Sequence, residues 1–161
     1  MDQLDALARR NPGAALFVDE GTLPLLPAQL AQRARVLHAG DEVEVSGVAV
    51  TALGGTHEAV YGDVPGCANL AYLIDGGSLF HPGDSFHVPD VQVDVLALPT
   101  SGPWLKLADA IEYLRAVNPR IAVPIHERAL ASTDTHYELL GVFAPEQTTF
   151  LPLTLGEESL V

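Results

Sequence analysis

With 161 residues the chain has room for one domain and a sizeable core, and its 48% hydrophobic content excludes a disordered protein. A formal charge of -13, from 21 acidic and 8 basic residues, excludes the basic footprint that nucleic acid or an anionic membrane requires, so a small-molecule substrate is the expected partner. No apolar run reaches the length of a bilayer span. The acidic start Met1-Asp2-Gln3-Leu4-Asp5 lacks a signal peptide's basic segment, and a lone Cys67 leaves no internal disulfide, so a cytoplasmic location is expected.

In chain order, Leu4, Leu7 and Ala8 share one face of a short helix over Asp2–Arg10, which Asn11-Pro12-Gly13 ends. Ala14–Val18 reads as a strand, Leu23–Arg33 as a helix despite Pro24 and Pro27, and Arg35–Leu37 as a second short strand. The period then becomes two. Glu42–Val45 and Val48–Leu53 predict a hairpin turning at Ser46-Gly47, followed by a glycine-rich loop from Gly54 to Cys67. Asn69–Ile74 and Ser78–His81 are strands joined by the turn Asp75-Gly76-Gly77, and Val93–Leu98 is a strand stopping at Pro99. Leu107, Ala110, Ile111, Leu114 and Val117 mark the clearest amphipathic helix, closed by Asn118-Pro119. Ile121–Ile125 reads as a buried strand, Thr135–Phe143 as a helix and Thr148–Leu153 as a last strand. Hairpin strands in the middle and alternating strands and helices afterwards predict α/β layering in a single domain over residues 1–161.

Three polar residues follow predicted strands at once: His57 after Leu53–Thr56, Asp84 after Leu79–Gly83, and His126 after Ile121–Ile125. Two imidazoles and a carboxylate suit zinc, or iron or manganese if carboxylate and water complete the set. A divalent ion makes a nucleophile from water, which matters because no side-chain nucleophile is evident: there is no Gly-x-Ser-x-Gly, phosphate-binding Gly-x-x-x-x-Gly-Lys, Gly-x-Gly-x-x-Gly or Cys-x-x-Cys. Spacing alone is equally compatible with solvated histidines at strand ends. Of the remaining candidates, His38 reads as a surface turn residue, His81 as packed on its strand, and His136 as exposed. His87 lies in the loop after Asp84, within reach of a site mouth. Glu58 reads as an exposed loop residue. Trp104 and Lys106 lie in the loop after Pro99, where a substrate could meet the site, with Trp104 packing on its own helix as the preferred reading.

Four segments together resemble the metallo-β-lactamase-fold hydrolases, most closely the branch of metal-dependent hydrolases that includes the ascorbate-6-phosphate lactonase-like proteins. Gly55-Thr56-His57-Glu58 resembles that family's third histidine motif, and Asn69–Ile74 its following strand. Leu79-Phe80-His81-Pro82-Gly83-Asp84-Ser85 resembles its GDT/GDS strand, and Val123-Pro124-Ile125-His126 its final histidine motif. The likeness runs from about Leu4 to Leu153. It implies an αββα sandwich in which His57 ligates one metal, His126 a second, and Asp84 bridges both. Ser85 would hydrogen-bond that carboxylate, or be an ordinary strand-end serine. In the family a bridging hydroxide attacks an ester, lactone or phosphoester-type substrate between metals roughly 3.5–4 Å apart.

One motif departs from the resemblance. The family's His-x-His-x-Asp-His is absent from these 161 residues. The expectation is a domain incomplete at its N-terminus that supplies half of a dinuclear site, with a mononuclear His57–Asp84–His126 site as the remainder. Two readings follow: the C-terminal part of a metal-dependent hydrolase whose other ligands come from upstream sequence or another chain, or a catalytically inactive relative acting as a structural or oligomeric module. Missing strands would expose a sheet edge, and a homo-oligomer is one way to cover it.

Overall fold

The computed structural model describes residues 2–64, 66–154 and 156–159. Helix α1 (Asp2–Arg10) leads to strand β1 (Leu16–Val18), the short helix α2 (Ala28–Ala31) and strand β2 (Ala34–Val36). β1 and β2 form a small parallel sheet, and Leu4 and Ala8 of α1 pack with Val18, Leu26 and Leu30. Leu7, on the same predicted face, is exposed. The helix expected over Leu23–Arg33 is interrupted. A 3-10 turn at Leu23–Leu25 is followed by extended Leu26 and Pro27, and only then by α2. Pro27 has no N–H to give a continuing helix and drives the residue before it out of the α region.

The main sheet has seven strands in sequence order: β3 (Glu42–Val45), β4 (Val48–Thr56), β5 (Ala68–Ile74), β6 (Leu79–His81), β7 (Val95–Pro99), β8 (Ile121–Ile125) and β9 (Thr149–Phe150). The β3–β4 hairpin closes through Ser46 and Gly47, both at positive φ, the geometry whose twist matches paired strands. β4 runs three residues beyond its expected end. Gly54, Gly55 and Thr56 pair with Leu70, Asn69 and Ala68, so these glycines belong to a ladder rather than to the expected loop. β9 is shorter than expected: Leu151 N–H still bonds Ala122 C=O, and Pro152, with no donor, follows.

Helix α3 (Leu107–Val117) links β7 to β8, and α4 (Asp134–Phe143) links β8 to β9. Ala110, Tyr113, Leu114 and Val117 of α3 are buried against Phe80, Leu96, Leu98 and Leu140, with Leu107 and Ile111 at the margin. Asn118 ends α3 in the left-handed conformation, its N–H bonding Leu114 C=O. All five residues of β7 are buried, as befits a central parallel strand covered on both faces. No described helix is long and apolar enough to cross a membrane.

Strand direction places the site. β4, β5 and β6 are successively antiparallel, so β4 and β6 run the same way; β6 to β9 are parallel. The carboxyl ends of β4, β6, β7 and β8 therefore share one edge. Because Leu114 has no exposed surface and sits where α3 meets the sheet, Leu114→Ala is expected to lower unfolding free energy by about 2–5 kcal/mol, read as a lower urea midpoint with an unchanged slope.

Candidate metal centre

His57 stands one residue beyond β4, Asp84 three beyond β6 and His126 one beyond β8, and the shared strand direction brings all three together. The carboxylate lies between the imidazoles: Asp84 Oδ2 is 3.7 Å from His57 Nε2, and Oδ1 is 3.2 Å from His126 Nδ1. Each oxygen thus faces a different histidine. His57 Nδ1 lies 2.5 Å from Glu58 C=O, which can only accept, so the ring proton belongs on Nδ1 and the Nε2 lone pair is directed at Asp84. This is the tautomer a metal-ligating histidine needs. Among the described residues, no three His, Cys, Asp or Glu side chains close around one point to hold an ion. The arrangement is a shared carboxylate flanked by two imidazoles, not a three-donor cage.

The backbone beneath these groups is tightly held. His126 has φ +66°, a left-handed conformation costly for a residue with a Cβ and sustained only by its surroundings. Buried Thr100, the residue after β7, supplies part of that support. Its N–H and Oγ1–H both donate to Ile125 C=O, at 3.0 and 2.8 Å, and fix the peptide leading into His126. On the Asp84 side, Asn69 accepts from Asp84 N–H at 2.9 Å and donates to Pro82 C=O at 3.0 Å. Asn69 and Thr100 were not among the expected site residues. The legible signal for Asn69 is a lone polar residue opening an otherwise apolar strand; Thr100 carries no comparable signal.

Several expectations are corrected. Glu58 is not an idle exposed loop residue: its N–H donates to Asp84 C=O at 2.9 Å and its carboxylate accepts from Phe86 N–H at 3.2 Å, tying the His57 and Asp84 loops together. Of the two readings of Ser85, the ordinary strand-end serine holds, and no bond to the Asp84 carboxylate is made. Its buried hydroxyl donates to Pro82 C=O at 2.9 Å and stabilises the turn. Trp104, in the loop before α3, packs in edge-to-face geometry with His57 and Phe86, ring centroids 5.6 and 5.2 Å apart. His136 is half-buried rather than exposed. His38 is a surface residue beside Asp41 and Glu20, as expected.

His81 is packed, its Nδ1 accepting from Gly83 N–H at 3.1 Å. His87 faces inward and lines a cleft of about 450 Å³ with Gly54, Gly55, Thr56, Glu58, Ser85 and Phe86, beside the carboxylate loop. Its backbone carbonyl accepts from the buried Tyr113 hydroxyl at 2.7 Å, and burial pushes that phenol's pKa up.

A sequence model of the beta-lactamase superfamily domain matches residues 17–126, a span that contains His57 and Asp84 and closes on His126. The chain belongs to this family. Protein Rv0786c of Mycobacterium tuberculosis is 39% identical over 163 residues, covering 99% of this chain and 74% of that protein. The UPF0173 metal-dependent hydrolase Ta0764 of Thermoplasma acidophilum is 28% identical over 99 residues, 56% of this chain and 44% of that protein. Among solved structures, Igni18 from the archaeon Ignicoccus hospitalis, described as a metallo hydrolase, superposes with a TM-score of 0.65 at 17% identity, over 94% of this chain and 70% of its own. That likeness speaks for the fold, which is the expected α/β arrangement of metallo-β-lactamase type.

Burial, and next the neighbouring His126, hold the His81 pKa below the ordinary 6.5, against smaller upward pulls from a backbone hydrogen bond and then from Asp84. The folded domain therefore resists a proton that the unfolded chain accepts. Stability is expected to fall as the pH drops below about 6.5, down to the lower folded value. Urea titrations between pH 7 and 5 should show that loss, and His81→Leu should make the slope shallower.

Proposed function

We propose that this chain carries half of the dinuclear metal centre of a hydrolase, with His57 ligating one divalent ion, His126 the other, and Asp84 both. The observation that carries this reading is the splitting of the Asp84 carboxylate, one oxygen toward each imidazole. The donor set fits zinc, with manganese or iron as alternatives. The names of the Thermoplasma and Ignicoccus proteins, a metal-dependent hydrolase and a metallo hydrolase, support metal-dependent hydrolysis. When bound, divalent ions would bring the pKa of water near neutrality and polarise a carbonyl or phosphoryl oxygen.

The chain's own residues prepare that chemistry. Glu58 C=O keeps the His57 Nε2 lone pair free. Trp104 packs edge-to-face with the His57 ring. Thr100 and Asn69 hold the backbone on which His126 and Asp84 stand. The substrate class that goes with this reading is a small ester, lactone or phosphoester, and it rests on the resemblance to the ascorbate-6-phosphate lactonase-like branch. The remaining donors would come from outside these 161 residues, because the chain contains no His-x-His-x-Asp-His.

A second reading has its own observation. With no three-donor group among the described residues, the chain would act as a structural or oligomeric module, pairing through an edge such as β3. One experiment separates the two. Zinc, manganese and iron content is measured after equilibration with each ion and removal of excess. The hydrolase reading expects bound metal, reduced by His57→Ala or His126→Ala and abolished by Asp84→Asn, which removes the charge both ions share. A chain that retains no metal and is indifferent to His57→Ala supports the module instead.

A further inference from the structure

We propose that Asn69 is a positioning residue whose carboxamide sets where the Asp84 carboxylate stands between His57 and His126. The proposal rests on the metal-site reading for its consequence, but its geometry stands alone. β5 and β6 pair through Ile74–Leu79, Leu73–Phe80 and Tyr72–His81. Continued, that register would set Asn69 opposite Asp84. The backbone ladder stops short, because Pro82 has no N–H to contribute and Gly83 turns to φ +65°. The Asn69 side chain spans the gap. Its Nδ2 donates to Pro82 C=O at 3.0 Å and its Oδ1 accepts from Asp84 N–H at 2.9 Å, so one planar amide holds both sides of the Gly83 turn.

The requirement for asparagine is chemical. Asp84 N–H needs an acceptor, and Pro82 C=O, already bonded by the Ser85 hydroxyl, takes a second donor in the same plane and at the same reach. Aspartate keeps the acceptor but loses the donor, leucine loses both, and glutamine adds a methylene. Gly83 is cut to fit: a Cβ there would collide with the Asn69 carboxamide. Through its backbone, Asn69 also pairs with Gly55, two residues before His57, so the same residue ties the first histidine's strand to the carboxylate's loop.

The test uses the full chain and Asn69→Leu, with Asn69→Ala, which also removes the acceptor for Asp84 N–H, as a second variant should the first fail to fold. Amide hydrogen exchange is followed by NMR without metal, and zinc affinity by competition with a chromophoric chelator. The Asp84 amide is expected to exchange about tenfold faster or more, with Leu98 and Leu114 unchanged, because a local bond has been lost and not the fold. Zinc affinity is expected to fall about 10–100-fold. Unchanged Asp84 exchange, or unchanged zinc affinity, overturns the assignment. A coupling measurement gives an independent check: Gly83→Ala should lower the thermal midpoint less in an Asn69→Ala background than in the parent, and equal losses overturn the fit. If the parent takes up no zinc, the metal-site reading fails by itself, and the exchange and coupling results still decide the role of Asn69.

Discussion

Everything at the candidate centre depends on strand direction. A parallel strand delivers its next residue to the same edge as its neighbours, whereas an antiparallel one delivers it to the opposite edge. β4, β6, β7 and β8 all point one way, so His57, Asp84, Thr100 and His126 emerge side by side although they span 70 positions of the chain. β5 runs against them and meets the edge with its first residues. It contributes Asn69, a residue that holds the Asp84 loop in place of facing the imidazoles.

The same edge shows how a buried scaffold supports a polar one. Phe80, Leu96 and Leu98 have no exposed surface, and the strands that carry them end within a few residues of the site. Past those ends, backbone pairing gives way to single side chains: Thr100 on Ile125, Asn69 across Gly83, Glu58 on Phe86. Asn69 spans a turn, Thr100 and Glu58 each join two separate segments, and together they sustain a left-handed His126 and a carboxylate with one oxygen toward each ring. Local strain at a site edge is tolerable where the surrounding hydrogen bonds leave the chain no other arrangement.

Much of this was legible in the residues. The spacing of Leu107, Ala110, Ile111, Leu114 and Val117 matches α3, and alternation in Glu42–Val45 matches the hairpin, because burial of one face imposes those periods. His57, Asp84 and His126 stood out because polar residues directly after apolar runs mark strand ends. Other features misled. Gly54 and Gly55 read as loop yet lie in β4, since a neighbouring strand can hold glycine in register despite its local freedom. Glu58 looked solvated and Trp104 self-packed, because their partners are distant: Phe86 is 28 positions beyond Glu58, and His57 lies 47 before Trp104.

The sequence by itself determined the element types, the apolar faces and the candidate ligands, all of which follow from local periodicity and residue chemistry. Only the tertiary structure decided that the two imidazoles address different oxygens of one carboxylate, that Ser85 serves the turn and not the carboxylate, and that Asn69 and Thr100 hold the site. Those outcomes depend on register and strand direction across the sheet. A one-residue change in pairing, invisible in any local window, would have turned each of these side chains to the opposite face.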